Sequence, residues 1–312
     1  MYIQDLFIRY YDYRPFKNRL ANKIIGNASK FGLILANIIL PIWFKLFPGE
    51  KYYIQKVNTN QQKNVIISLT TFPSRINKLW LVIECMLRQT TIPLKIVLYL
   101  SKEQFPDPKS LPTSLIKYTK KILDIRFVED DIRSHKKYWY AINDFPRTPI
   151  ITIDDDIIYS SNTIENLIQG AILHPNSVIA LYCHPIKRYN NGKIKPYLEW
   201  KGNIQLNRPG NDIFFGSGGG TYFPCGSLKD ANQSFDIIRR VCPLADDIWL
   251  NAFIRKNGYN VCCIKETISV PEWYISNNNK LNTINNGDNQ NDIQLTNVQS
   301  FMKDIYQINP FV

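Results

Sequence analysis

The stretch "PIITIDDDI", residues 149–157, ends an apolar run with three consecutive aspartates. Its first half has the continuous apolar pattern of a buried strand. Asp154, Asp155 and Asp156 repel one another at pH 7, so we expect a cation to offset their charge. Ligands of open α/β sheets bind outside the carboxyl ends of the strands. The triplet therefore predicts a ligand site at the end of this strand.

Short apolar runs alternate with helical stretches on both sides of this strand. Strands are predicted at residues 64–70, 95–100, 124–128, 149–157 and 178–183, and helices at 73–88, 134–145, 163–173 and 245–258. This alternation is typical of an α/β fold with an open, mostly parallel sheet flanked by helices. Asn162, with Glu165 three residues later, predicts a capping box at the start of one helix.

Two of the three aspartates are candidate metal ligands. Residues i and i+2 of a strand project to the same side, so Asp154 and Asp156 are expected to share a cation while Asp155 turns away. If the strand instead unwinds into a turn at this point, all three carboxylates reach the crevice. A small set of carboxylates suits Mn²⁺ or Mg²⁺, which complete their shells with water and substrate phosphates. The sequence thus predicts a metal-bound diphosphate. The alternatives are a solvated turn and a Ca²⁺-stabilised loop.

A second acidic pair, Asp246 and Asp247, opens a predicted helix. Carboxylates in a first turn complement the helix dipole, which is one interpretation. The other is that one of them accepts the proton of an incoming hydroxyl. Gly218, Gly219 and Gly220 in "GSGGG" would let the backbone approach a ligand, although such a run is also an ordinary flexible connector.

Candidate donor-binding residues follow the first strand and precede the acidic one. Thr70, Phe72 and Arg75 lie where an open α/β sheet commonly receives a nucleotide. Lys137 is a candidate to steady a phosphate, with a solvated basic face as the alternative. Five aromatic residues are candidates for an acceptor platform, because aromatic faces suit sugar rings. Their alternative is an ordinary core or interface position, and they are Tyr182, His184, Trp200, Tyr222 and Trp249.

Together these motifs resemble those of the nucleotide-sugar-dependent glycosyltransferases of the GT-A fold, particularly bacterial enzymes of surface polysaccharide synthesis. The resemblance spans roughly residues 64–273. It rests on "VIISLTTFPSRI", "LRQTTIPLKIVLYLS", "SHKKYWYAI", "TIDDDIIY" as the DxD motif, "GSGGG" and "ADDIW".

The resemblance implies a role for each acidic residue. Asp154 and Asp156 would hold Mn²⁺ or Mg²⁺, with Asp155 or Asp154 also touching the ribose. Asp247 would be the general base, with Asp246 its neighbour on the acceptor side, and transfer would invert the anomeric centre. The partners implied are a nucleotide-diphosphate sugar and a glycan or lipid-linked glycan acceptor, with no nucleic acid.

The sequence departs from the family pattern in two places. A late histidine that often completes the metal site is missing, because His135, His174 and His184 all precede the glycine run. The acidic motif reads Asp-Asp where Glu-Asp is more usual, so the base is one of two adjacent residues. A sugar-1-phosphate nucleotidyltransferase is the alternative enzyme, but "TTFPSRI" has no glycine to cradle a triphosphate. A non-catalytic, membrane-peripheral basic module is the alternative without activity.

On this basis the 312 residues divide into three parts. Residues 61–275 form the predicted GT-A-like catalytic domain, and residues 276–312 an Asn-rich loop or lid followed by a C-terminal helix. Residues 1–60 are a basic and apolar N-terminal extension. That extension carries nine Lys and Arg against three Asp and Glu, which is half of the net charge of +12.

The apolar part of the N-terminal extension, residues 31–47, is broken by Asn37, Pro41 and Lys45. It falls short of the ~20 apolar residues that a spanning helix needs. A basic flank before an aromatic-rich apolar segment is typical of a helix lying on the inner membrane face, held by anionic lipids. A helix packed on the domain's own core fits equally well. No cleavage site for a signal peptide is apparent.

The six cysteines are scattered, with neither a CxxC pair nor a Cys/His cluster at metal spacing. Scattered cysteines are typical of a reduced compartment in which thiols are buried as small hydrophobes. We therefore expect a cytoplasmic protein at the inner face of the cytoplasmic membrane.

Overall fold

Helices and strands alternate along most of the chain. The computed structural model describes residues 2–11, 19–120, 122–200, 208–264 and 289–311. Its helices are α1 (Ile3–Tyr11), α2 (Arg19–Leu46), α3 (Glu50–Asn58), α4 (Trp80–Leu87), α5 (Thr113–Ile116), α6 (Lys136–Asp144), α7 (Thr163–Leu173), α8 (Phe235–Val241), α9 (Asp246–Lys256) and α10 (Gln290–Tyr306). Its strands are β1 (Gln62–Thr70), β2 (Ile92–Ser101), β3 (Leu123–Val128), β4 (Ile150–Thr152), β5 (Ser177–Ala180), β6 (Cys183–Pro185), β7 (Pro209–Gly210), β8 (Ile213–Phe215), β9 (Thr221–Phe223) and β10 (Asn260–Cys263).

An eight-stranded sheet, in the order β3-β2-β1-β4-β9-β5-β10-β7, forms the centre of the molecule. Parallel pairs join β1 to β2 and β4, β2 to β3, and β5 to β10. Strand β9 is antiparallel to both of its neighbours, and β7 is antiparallel to β10. The predicted open, mostly parallel α/β sheet with a helical N-terminal extension is confirmed. The arrangement is consistent with the GT-A-like fold that the resemblance implies.

Both faces of β1 are covered, as the apolar run "VIISL" requires of a parallel strand. Ile67 and Leu69 pack in one apolar cluster with the whole of α4. Ile66 points to the other face, where it packs with Ala141 of α6. Helices on opposite faces thus fix the carboxyl ends of β1 and β4 side by side, and residues that follow these strands meet there.

Several elements, among them β10 and α8, were not predicted, and two differences from the predicted elements shape the site. The strand predicted at 149–157 ends at Thr152, because the aspartates leave the sheet in a turn. The antiparallel strand β9 was not predicted, although a β-branched and aromatic "TYF" directly after the glycines is a strand pattern. Its insertion between β4 and β5 brings the glycine turn beside the aspartates.

The prediction of a capping box at the start of α7 is also wrong. Asn162 makes no side-chain cap at the start of α7, and Glu165 instead accepts a 2.6 Å hydrogen bond from Thr90. The C-terminal helix is confirmed as α10. The Asn-rich loop predicted before it lies almost entirely outside the described residues.

Among its described side chains, from residue 31 onward, helix α2 packs on the core through one face. Ala36, Leu40 and Phe44 are buried against the cluster that contains α4. Packing on the domain's own core is therefore confirmed for this face. Within the described ranges, no helix combines the length and the apolar character needed to cross a membrane.

A buried carboxylate fastens the N-terminal helices to α4. Glu84 is fully buried and accepts hydrogen bonds from the backbone N–H of Gly49 at 2.8 Å, from Arg88 and from Tyr118. Arg88 donates in turn to the carbonyl of Phe47. Because a buried charge is tolerated only when it is paired and hydrogen-bonded, this cluster holds the start of α3 in one place.

Candidate active site

The aspartate triplet leaves the sheet at the carboxyl end of β4, next to the end of β1. The N–H of Ile153 still donates to the carbonyl of Ser68 in β1, and the N–H of Asp154 donates to the carbonyl of Gly218. Asp155 and Asp156 lie in the turn that follows. The predicted position of the triplet, at the strand ends of an open sheet, is confirmed.

Two basic side chains offset the repulsion within the triplet. Arg75 lies 2.7 Å from Oδ1 of Asp155 and 2.7 Å from Oδ2 of Asp156. Lys137 Nζ lies 3.0 Å from Oδ1 of Asp154. The expectation that Asp155 turns away from the other two aspartates is therefore wrong, and the alternative of an unwound turn fits, because all three carboxylates contact this pair of cations. That Asp154 and Asp156 share a metal ion stays a prediction. The alternation of side chains applies to a strand, and here the strand has already ended.

Thr71 also contacts the triplet, although nothing in the sequence distinguished it. Its hydroxyl donates to Asp155, which is buried. Thr70 instead donates to the carbonyl of Tyr99 at 2.8 Å, so its hydroxyl serves the sheet. The ring of Phe72 lies 5.0 Å from the Arg75 guanidinium carbon. Phe72 and Arg75 thus stand together at the end of β1, beside the acidic turn.

Lys137 joins the triplet to the second acidic pair. Its Nζ lies 3.1 Å from Oδ2 of Asp246 as well as 3.0 Å from Asp154, and its side chain is only 4% exposed. Burial alone would lower the pKa of Lys137, but Asp154 and then Asp246 outweigh it and raise the pKa above its ordinary value. The lysine is a permanently charged link between the two acidic groups.

Ser217 positions both carboxylates of the second pair, and nothing in the sequence pointed to it beyond its place in "GSGGG". Its backbone N–H donates to Oδ1 of Asp247 at 2.7 Å, and its hydroxyl donates to Oδ2 of Asp246 at 2.7 Å. Ser217 is fully buried within a helical turn, Ser217–Gly219. The interpretation of this run as a flexible connector is therefore wrong.

The glycines of this turn admit close contacts that a side chain would block. A Cβ added at Gly218 would lie 1.7 Å from Oδ2 of Asp154, and one added at Gly219 would lie 2.7 Å from Cβ of Tyr182. Gly220 has φ of +97°, which is rare for other residues. The three glycines thus allow close contact between the turn that carries Asp154 and the helical turn Ser217–Gly219.

We expect Gly218→Ala to displace Asp154 from Lys137, because the new methyl group and the carboxylate cannot occupy the same space. Activity should fall by about 10²-fold, as for other small misplacements of catalytic groups. Gly192→Ala is a control for glycine loss, since its Cβ would meet nothing within 4 Å, although its φ of +82° adds strain. Steady-state rates that match wild type in G218A would show that this contact is unimportant.

The two aspartates of the second pair differ in protonation. Burial would raise the pKa of Asp246, but Lys137, then His135 and Ser217, outweigh it and lower the pKa. Asp247 is partly exposed, and burial together with the neighbouring Asp246 raises its pKa to about 7. Asp246 therefore stays ionised, whereas Asp247 can accept or release a proton near neutral pH.

Aromatic side chains lie near Asp247. The ring centroids of Tyr182 and His184 lie 4.8 Å apart, and those of His184 and Tyr197 lie 6.4 Å apart. Burial and then the charge of Asp247 raise the pKa of Tyr197. These partly exposed rings form a wall close to the carboxylate.

Trp249 does not belong to this wall. It is fully buried, its indole N–H donates to the carbonyl of Ala231 at 2.7 Å, and its ring stacks on Phe301 of α10. The prediction of Trp249 as an acceptor residue is therefore wrong. Its spacing of four from Phe253 on α9 is the helical pattern of a core residue.

The site has an excess of negative charge. The five aspartates and their two cations, Arg75 and Lys137, sum to a formal charge of −3. Within the described ranges, no group of three or more His, Cys, Asp and Glu side chains converges as metal ligands. Asp154 and Asp156 are two carboxylates, which is enough for Mg²⁺ or Mn²⁺ when phosphate oxygens and water supply the other ligands. The residues present fit an ion that arrives with its substrate.

Comparison with known proteins gives a likeness of fold. No protein-family model matches the chain, and no curated protein does. The mannosyltransferase PcManGT from Pyrobaculum calidifontis, in complex with GDP-Man and Mn²⁺, is 12% identical with a TM-score of 0.39, covering 75% of this chain and 67% of that one. S. aureus TarS 1-349, in complex with UDP, is 15% identical with a TM-score of 0.43, covering 79% and 72%.

A third solved structure is 2-C-methyl-D-erythritol 4-phosphate cytidylyltransferase from Thermus thermophilus. It is 14% identical with a TM-score of 0.39, and the match covers 70% of this chain and 95% of that one. Sugar transfer and nucleotidyl transfer both occur among these structures.

Proposed function

We propose that the protein is a glycosyltransferase that moves a sugar from a nucleotide-diphosphate sugar to a hydroxyl of a glycan or lipid-linked glycan. The observation that carries this proposal is Lys137, which lies 3.0 Å from Asp154 and 3.1 Å from Asp246. A group bound at Asp154 would thus lie beside the second acidic pair, of which Asp247 is the partly exposed member. Direct transfer between two substrates needs such an adjacent pair of sites.

The donor would bind at the triplet and the end of β1. Arg75 and Lys137 are the two cations available to diphosphate oxygens, and the exposed part of Asp154 is available to a metal or to the ribose. Phe72 offers a ring face for the base. In this proposal the phosphates take over part of the contacts that Arg75 now makes with the aspartates.

A divalent ion, Mn²⁺ or Mg²⁺, would be held by Asp154 and Asp156. When bound, such an ion neutralises charge that develops on a departing diphosphate. The formal charge of −3 in this group of residues favours its entry. Arg75 must then release Asp156, from which it lies 2.7 Å away.

Asp247 would be the general base. Its carboxylate is held by Ser217 on one side and is partly exposed to the crevice on the other. A pKa of about 7 lets it take a hydroxyl proton at neutral pH. Attack assisted by a base on the face opposite the leaving group gives inversion at the anomeric carbon.

The wall of Tyr182, His184 and Tyr197 would hold the acceptor sugar, because aromatic faces suit sugar rings.

Nucleotidyl transfer is the alternative for this fold, but the site does not favour it. The segment after β1, "TTFPSRI", contains no glycine and forms no phosphate-cradling loop. Asp247, whose pKa is raised to about 7, would have no role in attack on a nucleotide α-phosphate. We place the reaction in bacterial cell-surface polysaccharide synthesis, on the cytoplasmic side of the membrane.

The experiment that tests the proposal is release of free nucleotide from UDP-, GDP-, dTDP- and CMP-sugars, with Mn²⁺ or with chelator. We expect slow, metal-dependent release from one donor. Asp156→Asn should lower the rate more than the donor affinity, because the ion acts chiefly on the leaving group. Asp304→Asn, an exposed aspartate on α10, is the matched control and should behave as wild type. No release and no thermal stabilisation by any donor would refute the proposal.

A further inference from the structure

The exposed side of α2 carries a continuous apolar stripe. Phe31, Ile34, Ile38, Ile42 and Leu46 recur at spacings of three and four, and each is at least 54% exposed. We call these five residues the outer stripe. They lie opposite the inner face of α2, which is buried in the core. Helical packing within the described chain therefore leaves the outer stripe without a cover.

The outer stripe is the centre of a wider apolar patch. Trp43 and Phe47, whose rings lie 4.4 Å apart, border it at the end of α2, and Tyr52 and Ile54 of α3 are exposed nearby in sequence. Twelve of the twenty exposed large hydrophobic side chains in the described residues fall within residues 1–60. Exposed apolar patches of this kind mark interaction surfaces.

Positive charge accompanies the stripe in the sequence of α2. Helix α2 contains four basic residues and no acidic residue among its 28 positions. Arg19, Lys23 and Lys30 recur at spacings of four and seven, so their positions share one strip of the helix. Lys45, near the other end, is exposed.

We infer that the outer stripe docks on an anionic lipid bilayer, with α2 lying along the surface. An apolar face flanked by basic residues is the pattern of an interfacial helix, which buries its apolar side chains among the lipids and pairs its charges with headgroups. A second copy of the chain is a poorer occupant, since it would bring together the four basic residues of two helices. The inference goes beyond the proposed transfer reaction and does not depend on it.

Flotation of the full-length chain with vesicles tests this inference. We expect binding to phosphatidylcholine vesicles that contain phosphatidylglycerol, weaker binding to phosphatidylcholine alone, and loss of binding as salt is raised. Ile38→Glu with Ile42→Glu should lower partitioning to anionic vesicles more than about tenfold. The control pair is Ile172→Glu with Leu173→Glu, which changes net charge equally at exposed positions of α7 and should bind as wild type.

Folding and self-association are checked on the same variants. Thermal unfolding of both double variants should match wild type, because all four side chains are exposed. Absence of binding to anionic vesicles by the wild-type chain, or equal binding by the two double variants, would overturn the inference. A wild-type dimer in sedimentation velocity that only the α2 variant dissociates would also overturn it and assign the face to a contact between copies.

Discussion

Asp247→Asn is expected to lower the turnover number by ~10²–10⁴-fold, which is the usual contribution of a general base. The amide keeps the acceptor oxygen that Ser217 N–H contacts at 2.7 Å, but it cannot take a proton. Donor affinity should change little, because Asp247 does not contact the triplet's cations in the described structure. Stability should also change little, since Asp247 is partly exposed.

The pH dependence distinguishes this role from a helix-capping one. A base with a pKa of about 7 is inactive when protonated, so wild-type activity should rise as pH increases through about 7. Asp247→Asn should abolish that rise along with most of the rate. Asp236→Asn, an exposed aspartate in the first turn of α8, removes a comparable helix-dipole contact and should leave the profile unchanged. If the Asp247 variant still showed a rise in activity near pH 7, the base would be another group.

The second large effect is expected for Lys137→Met. The substitution leaves Asp154 and Asp246 without their shared cation, and removing one partner of a buried pair costs about 3 kcal/mol of unfolding free energy. The lower end of the usual range applies because the Asp154 side chain is 42% exposed. Activity should fall as well, since the lysine contacts both acidic groups and is the phosphate contact of the proposed donor site.

The pH profile of any residual Lys137→Met activity should move in a definite direction. Lys137 lowers the pKa of Asp246 and opposes the rise in the pKa of Asp247. Its loss should therefore move the rise in activity to a pH above about 7. Lys136→Met is the matched control: that lysine is equally buried but pairs with Asp131. Lys136→Met should lower the stability without changing the pH at which activity rises. If that pH were also unchanged in Lys137→Met, the lysine would not control the pKa values of the acidic pair.

The local sequence pattern was sufficient to predict much of the fold and part of the site. In an alternating α/β sequence the apolar run at 64–70 can only be read as a buried strand, and β1 occupies Gln62–Thr70. The triplet and the Asp246–Asp247 pair are recognisable because clustered carboxylates at element ends are costly without a function. Arg75 was predicted as a donor residue, and the structure places it on the triplet.

Contacts between distant segments were not predictable. Lys137 is one of several basic residues in "RSHKK", and only the fold shows that it, rather than Lys136, faces both acidic groups. The role of Ser217 depends on β9 being inserted beside β4, which no local pattern specifies. The side to which each carboxylate of the triplet points was also not predictable, because it depends on where β4 ends, and β4 ends at Thr152, before the aspartates.

Phosphorus NMR of the reaction products tests the central claim most directly. The purified chain is given a nucleotide-diphosphate sugar in one tube and a nucleoside triphosphate with a sugar 1-phosphate in another, both with Mn²⁺. Our account predicts a nucleoside diphosphate from the first tube, absent with Asp247→Asn, and no pyrophosphate from the second. Pyrophosphate and a new nucleotide sugar in the second tube, with the first tube unchanged, would contradict it and identify a nucleotidyltransferase.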